Sequence, residues 1–126
     1  MDIVGIGMDA TDIGRIGESI ERWGDRFLHR VFTEGEIAYC RRKHDAVSSF
    51  AARFAAKEAA MKALGTGLAH GVFWTGIEVV RHGGPPGLLF HGGAARRLAD
   101  IGGTGAMLTL THSQDLAIAH VLLIRR

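Results

Sequence analysis

The chain has 126 residues, 47% apolar and 22% charged, which excludes a disordered polypeptide and fits one globular domain over residues 1–126. A net charge of +2 is too small an excess for a DNA-binding protein, and the single cysteine, Cys40, excludes both a disulfide framework and a cysteine zinc site. No apolar run approaches the ~18 residues of a membrane span and the N-terminus lacks the form of a secretory signal, so a cytoplasmic protein is expected.

Residues 2–8 alternate as a strand, with Val4, Ile6 and Met8 on one face and Ile3, Gly5 and Gly7 on the other. Thr11 or Asp12 is placed to cap the helix that follows. Its apolar side carries Ile13, Ile16, Ile20, Trp23 and Phe27, stepping by three and four residues. Arg15, Arg22, Arg26 and Arg30 fall within about an 80° sector beside that stripe, provided the helix continues through Gly17 and Gly24. Thr33-Glu34-Gly35-Glu36 has capping-box form and opens a short helix reaching about Arg42. A long helix starts near Ser48 and ends at Gly65. Residues 67–76 read as an irregular connection. Residues 77–81 and 88–91 are predicted strands joined by a Gly- and Pro-rich turn. A short helix over 94–101 precedes a hairpin of strands 106–112 and 116–124. The predicted class is α+β, with helices packed on a largely antiparallel sheet.

Two carboxylates stand out. Asp9 follows the first strand, and Glu58 lies inside the long helix with Lys57 and Lys62 beside it. Magnesium typically takes one or two protein carboxylates and fills its remaining positions with water and phosphate oxygens. Asp9 is equally placed to cap a helix, and Glu58 to form an i,i+4 surface pair with Lys62. Small neighbours at Ala51 and Ala55 leave room above Glu58 for a ligand or another backbone. Lys57 falls in the middle of the apolar face made by Phe50, Phe54, Met61 and Leu64, so it either snorkels to the edge or meets an anion. His112 continues the Leu108/Leu110 face of its strand, as a core histidine would. Twelve of the fifteen basic residues are arginines, a bias suited to an acidic protein or a phosphorylated ligand and equally produced by a GC-rich genome. The basic residues do not alternate with exposed aromatics, against nucleic-acid binding.

Three blocks together resemble the short holo-acyl-carrier-protein synthases, a group of 4′-phosphopantetheinyl transferases. They are Gly5-Ile6-Gly7-Met8-Asp9 with Asp12-Ile13-Gly14-Arg15-Ile16, then Arg53-Phe54-Ala55-Ala56-Lys57-Glu58-Ala59 through Lys62-Ala63-Leu64-Gly65-Thr66-Gly67, and Leu110-Thr111-His112-Ser113. The resemblance covers nearly the full length. It implies transfer of the phosphopantetheine arm of coenzyme A to a serine of an apo acyl carrier protein, in fatty acid biosynthesis, with release of adenosine 3′,5′-bisphosphate. It makes Asp9 and Glu58 ligands of Mg2+ and puts Lys62, Arg53 and His112 near the coenzyme A phosphates. Asp9, Glu58, Lys62 and His112 form the implied catalytic set. Gly65, Gly84 and Pro86 join the implied coenzyme A contacts, with Pro85 where relatives carry a lysine or arginine. An acidic residue that follows the Thr-His pair in some relatives is Ser113 here. Arg15 and Arg22 are expected to touch the acidic carrier protein, and the chain is expected to form a homotrimer with shared active sites. Rival readings are a transferase of the same fold serving a polyketide or peptide synthase carrier domain, and a catalytically silent carrier- or nucleotide-binding module.

Overall fold

A computed structural model describes residues 1–126. The elements run β1 (Asp2–Asp12), α1 (Ile13–Trp23), α2 (Asp25–Val31), α3 (Glu34–Arg41), α4 (Ala46–Leu64), a 3-10 turn (Trp74–Gly76), β2 (Ile77–Val80), β3 (Gly87–Phe90), α5 (Gly92–Asp100), β4 (Gly105–His112) and β5 (Leu116–Arg125). The strands form two antiparallel sheets, a three-stranded one ordered β1-β5-β4 and a separate β2-β3 pair. The α+β class expected from the sequence is the one observed.

Local chemistry sets most boundaries. The Asp12 carboxylate accepts from the Arg15 backbone and caps α1, so Asp12 rather than Thr11 is the cap. Thr33 and Glu36 complete the capping box reciprocally, at 3.2 and 2.8 Å. Asp45 caps α4, and Gly65 ends it in the left-handed conformation at φ 76°.

Two expectations fail. Strand β1 does not stop at Met8 but pairs with β5 as far as Asp12, so Asp9 lies inside it, opposite Ala119. The first helix does not continue to Arg30. Gly24 adopts φ 54°, ψ −131°, and splits it into α1 and α2. That backbone conformation is open to glycine and closed to a helix. The four arginines therefore do not share one helical flank. Arg22 and Arg26 instead converge on Trp23, with guanidinium carbons 5.1 and 6.0 Å from its ring centroid.

Helix α4 is the spine, and thirteen of its nineteen residues are buried, too many for one apolar stripe. Its N-terminal half packs with α1, α2 and α3 around Phe32, Ile37, Phe50 and Ala52. Its C-terminal half packs against the sheets and α5 around Met61, Leu64, Val121 and Leu123.

The face of β1 turned to α4 is the glycine face. A methyl group at Gly7 would run into the Ala59 carbonyl, and one at Gly5 into the Ala63 carbonyl. Two residues of strand advance about 6.6 Å and four residues of helix about 6 Å, so the two backbones stay in step. A ladder of alanines at i,i+4 spacing receives a ladder of glycines. Ile6 and Met8 consequently point outward. Val4, beside a register shift between Ile3 and Gly5, packs on the core instead.

Candidate active site

The seam between β1 and α4 ends at Asp9. It brings Asp9, Thr11, Asp12, Arg15, Ile16, Phe54, Glu58 and Lys62 around one open cleft of about 460 Å3. The sequence separates Asp9 from Glu58 by 49 positions, and the seam puts them in the same wall. Lys62 does not form the surface pair with Glu58. Its ammonium donates to an Asp9 carboxylate oxygen at 3.0 Å and to the Met8 carbonyl at 3.1 Å, crossing from helix to strand. The Thr11 hydroxyl donates to the other Asp9 oxygen at 2.7 Å, which fixes the plane of that carboxylate. Asp9 is thus not the helix cap; Asp12 is.

Glu58 has no hydrogen-bond partner of its own and is half-buried. Burial, and then the Asp9 charge, push its carboxyl above the usual range, while Lys62 pulls it partly back. Two like charges close enough to perturb each other, with one lysine between them, make a site short of positive charge. No group of three or more His, Cys, Asp or Glu side chains clusters as a self-sufficient metal site. The pair therefore suits a hard cation that brings ligands with it, as magnesium does.

The other expected site residues lie apart from this cleft. His112 is exposed at the end of β4, its Nδ1 3.4 Å from the Ser113 carbonyl, so it is not the core histidine its strand face suggested. Strand pairing puts it in the row of Ala117 and Thr11, roughly 10 Å across two strand spacings from Thr11. There it faces the start of α4. Asp45 is held below the usual carboxylate range, first by its bonds to Ser48 and further by the His112 and His44 charges. Arg53 is 5% exposed and lies under Tyr39, 4.0 Å from the ring, with Nε unpartnered. Gly84 lines a different cavity of about 540 Å3 with Tyr39, Lys43, Arg81 and Gly83. Pro86 lies just beyond in the same β2–β3 turn, and Gly65 is exposed at the far end of α4. Arg15 lines the carboxylate cleft, whereas Arg22 stacks on Trp23 outside it.

Sequence reasoning missed the apolar side of the cleft. Ile16, Phe27 and Phe54 line it together with the carboxylates. The signal was present in the α1 stripe and the Phe54/Glu58 spacing, but a stripe cannot tell a core residue from a cleft wall. Beside the cleft, sharing Ser19 and Phe27, lies a second groove of about 400 Å3 lined also by Trp23, Arg26 and Arg30.

Residues 5–119 match the family model of the 4′-phosphopantetheinyl transferase superfamily. The holo-[acyl-carrier-protein] synthase of Koribacter versatilis is 52% identical over 122 residues, 96% of this chain and 98% of that protein. That of Methylobacterium nodulans is 53% identical over 126 residues, 96% of each chain. Among solved structures, the Neisseria meningitidis synthase superposes with a TM-score of 0.89 at 29% identity, covering 98% of this chain and all of that one. The Helicobacter pylori synthase in complex with coenzyme A gives 0.83 at 28% identity, over 94% and 99% of the two chains. With the family model spanning nearly all of its length and relatives more than half identical to it, the chain belongs to the 4′-phosphopantetheinyl transferases, within the holo-[acyl-carrier-protein] synthase family.

Proposed function

We propose that the Asp9–Glu58–Lys62 cleft is where this 4′-phosphopantetheinyl transferase moves the phosphopantetheine arm of coenzyme A to a serine of an apo acyl carrier protein, releasing adenosine 3′,5′-bisphosphate. The reaction activates the carrier of fatty acid biosynthesis. The observation that carries the assignment is the convergence of two carboxylates and a lysine from distant segments into one open cleft.

Asp9 and Glu58 would hold Mg2+, and the pyrophosphate of coenzyme A would complete its shell. Bound there, the ion supplies charge neutralisation on the phosphoryl group under attack. Thr11 keeps the Asp9 carboxylate oriented through its 2.7 Å bond. Lys62, whose side chain is about half exposed, is free to swing from Asp9 to a phosphate oxygen once a cation takes its place. Arg53, in the N-terminal half of α4, and His112, at the end of β4, are assigned to coenzyme A phosphates farther from the reacting bond. Arg15 on the cleft rim and Arg22 beside it are assigned to the acidic face of the carrier.

A homotrimer with shared sites accounts for two further observations. Ile6, Met8 and Met107 leave an apolar patch on the outer face of the three-stranded sheet, with Ile6 63% exposed. Gly84 and Pro86 stand outside the cleft of their own chain, as residues serving a neighbour's coenzyme A would. Sedimentation velocity checks the assembly. A Met107→Lys variant should shift the species toward monomer.

Intact-protein mass spectrometry tests the reaction. Apo acyl carrier protein, coenzyme A and magnesium should give a phosphopantetheine mass gain with the wild type. No gain is expected with Glu58→Gln or with EDTA. Full transfer by Glu58→Gln would remove Glu58 from the site.

A further inference from the structure

Lys57 and Glu36 are the most deeply buried charged residues of the molecule, 0% and 1% exposed, and the reading of the cleft uses neither. Their charges meet at 2.7 Å. Lys57 also donates to the carbonyls of Trp74, at 3.0 Å, and Ile77. Glu36 accepts from the Thr33 N–H at 2.8 Å and the Val79 N–H at 2.8 Å. One pair thus ties α3, α4, the Trp74–Gly76 turn and β2 together. A buried ion pair is often no more stabilising than apolar residues of the same volume, and the best-attested reason to keep one is to select a single arrangement.

What this pair selects lies at the cleft. The Trp74 carbonyl is held by Lys57, and the Trp74 ring stacks on Phe54 with centroids 5.0 Å apart at 28°. Phe54 in turn lines the cleft one helical turn before Glu58, in the same apolar cluster as Ile16 and Phe27. Trp74 has no hydrogen bond from its indole to hold it, so its place depends on its backbone anchor and this stack. Arg15 lines the same cleft from α1.

We propose that Glu36 and Lys57 act as a positioning pair: through the Trp74 carbonyl they hold the Trp74 ring behind Phe54 and so set the apolar wall on which the carrier protein seats its serine. The pair touches no substrate. It acts on the carrier rather than on coenzyme A because Phe54 packs with the apolar Ile16 and Phe27, two helical turns (about 12 Å) before Lys62, to which a phosphate is assigned. This inference rests on the reading of the cleft as the transfer site.

The test measures both substrates' KM values for Trp74→Leu and for the Glu36→Met/Lys57→Met double variant, with unfolding curves to select folded samples. The carrier KM should rise about tenfold or more while the coenzyme A KM stays within about twofold, a split that simple loss of folded protein does not produce. In a Trp23→Phe background, where Trp74 is the only tryptophan, the folded double variant should also show red-shifted emission. Wild-type KM values for both substrates in Trp74→Leu would overturn the proposal, as would equal rises in both. If the double variant does not fold, Trp74→Leu alone decides. Absence of transfer by the wild type would instead overturn the reading of the cleft, so the two failures are distinguishable.

Discussion

Adjacent residues of one helix, Lys57 and Glu58, live in opposite electrostatic regimes. Lys57 is sealed inside the protein with an anion and two carbonyls arranged around it. Burial draws its ammonium below the usual lysine range, and the Glu36 charge pushes back. Glu58 opens to a cleft, shares it with a second carboxylate and has no hydrogen bond of its own. In the first case every polar atom is satisfied by the chain itself. In the second the chain stops one cation short. A saturated cluster specifies structure, and an unsaturated one specifies a ligand.

The contrast can be tested from its strong end. Lys57→Met leaves Glu36 buried and uncompensated and should cost about 3–5 kcal/mol, read from urea unfolding. Gly7→Ala forces a methyl group into the Ala59 carbonyl and should cost about 1–3 kcal/mol. Because that displacement separates Asp9 from Glu58, Gly7→Ala should lose transfer out of proportion to its loss of stability, as a kcat measurement on folded protein would show. Thr33→Ala removes the α3 cap and a 2.9 Å bond to Glu78 and should cost about 1 kcal/mol, with kcat intact.

The smallest effect on stability has the opposite sign. Glu58 has a raised pKa in the fold, so below its ordinary value of 4.5 it is protonated in both states and contributes like a glutamine. As pH rises above 4.5 the folded state holds a proton the unfolded state has lost, and stability falls until Glu58 ionises. Glu58→Gln should therefore match the wild-type Tm below pH 4.5 and exceed it above, by a margin that grows until Glu58 ionises in the fold and then levels off, while transfer is abolished. Magnesium should close the gap by raising the wild-type Tm alone.

How much of this was legible in the sequence differs from place to place for physical reasons. The α3 capping box and the Gly65 stop were legible, because each depends on residues within four positions. The break at Gly24 was not. The spacing of Ile20, Trp23 and Phe27 continues through it, and a glycine inside a helical pattern reads as a tolerated weakness. Lys57 could be flagged as needing an anion, but Glu36, its partner 21 positions earlier, emerges only when α3 packs on α4. The residues alone raised the Asp9–Glu58 pairing beside a helix cap and a surface ion pair, and the family resemblance was what favoured it over them. His112 misled because its strand face turns to solvent at the last residue.

The glycine–alanine seam has a consequence for how the protein should fail. Side chains that form a site usually loosen before the backbone does, as rotamers melt ahead of the fold. Here the distance between Asp9 and Glu58 is set by main chain resting on main chain, with no side chain between to soften. The β1 amides that bond to β5 and those of α4 near Ala59 should then exchange with solvent at a common, slow rate. The cation binding proposed for the cleft should vanish at the same temperature as the protection of these amides, with no earlier inactive but folded stage.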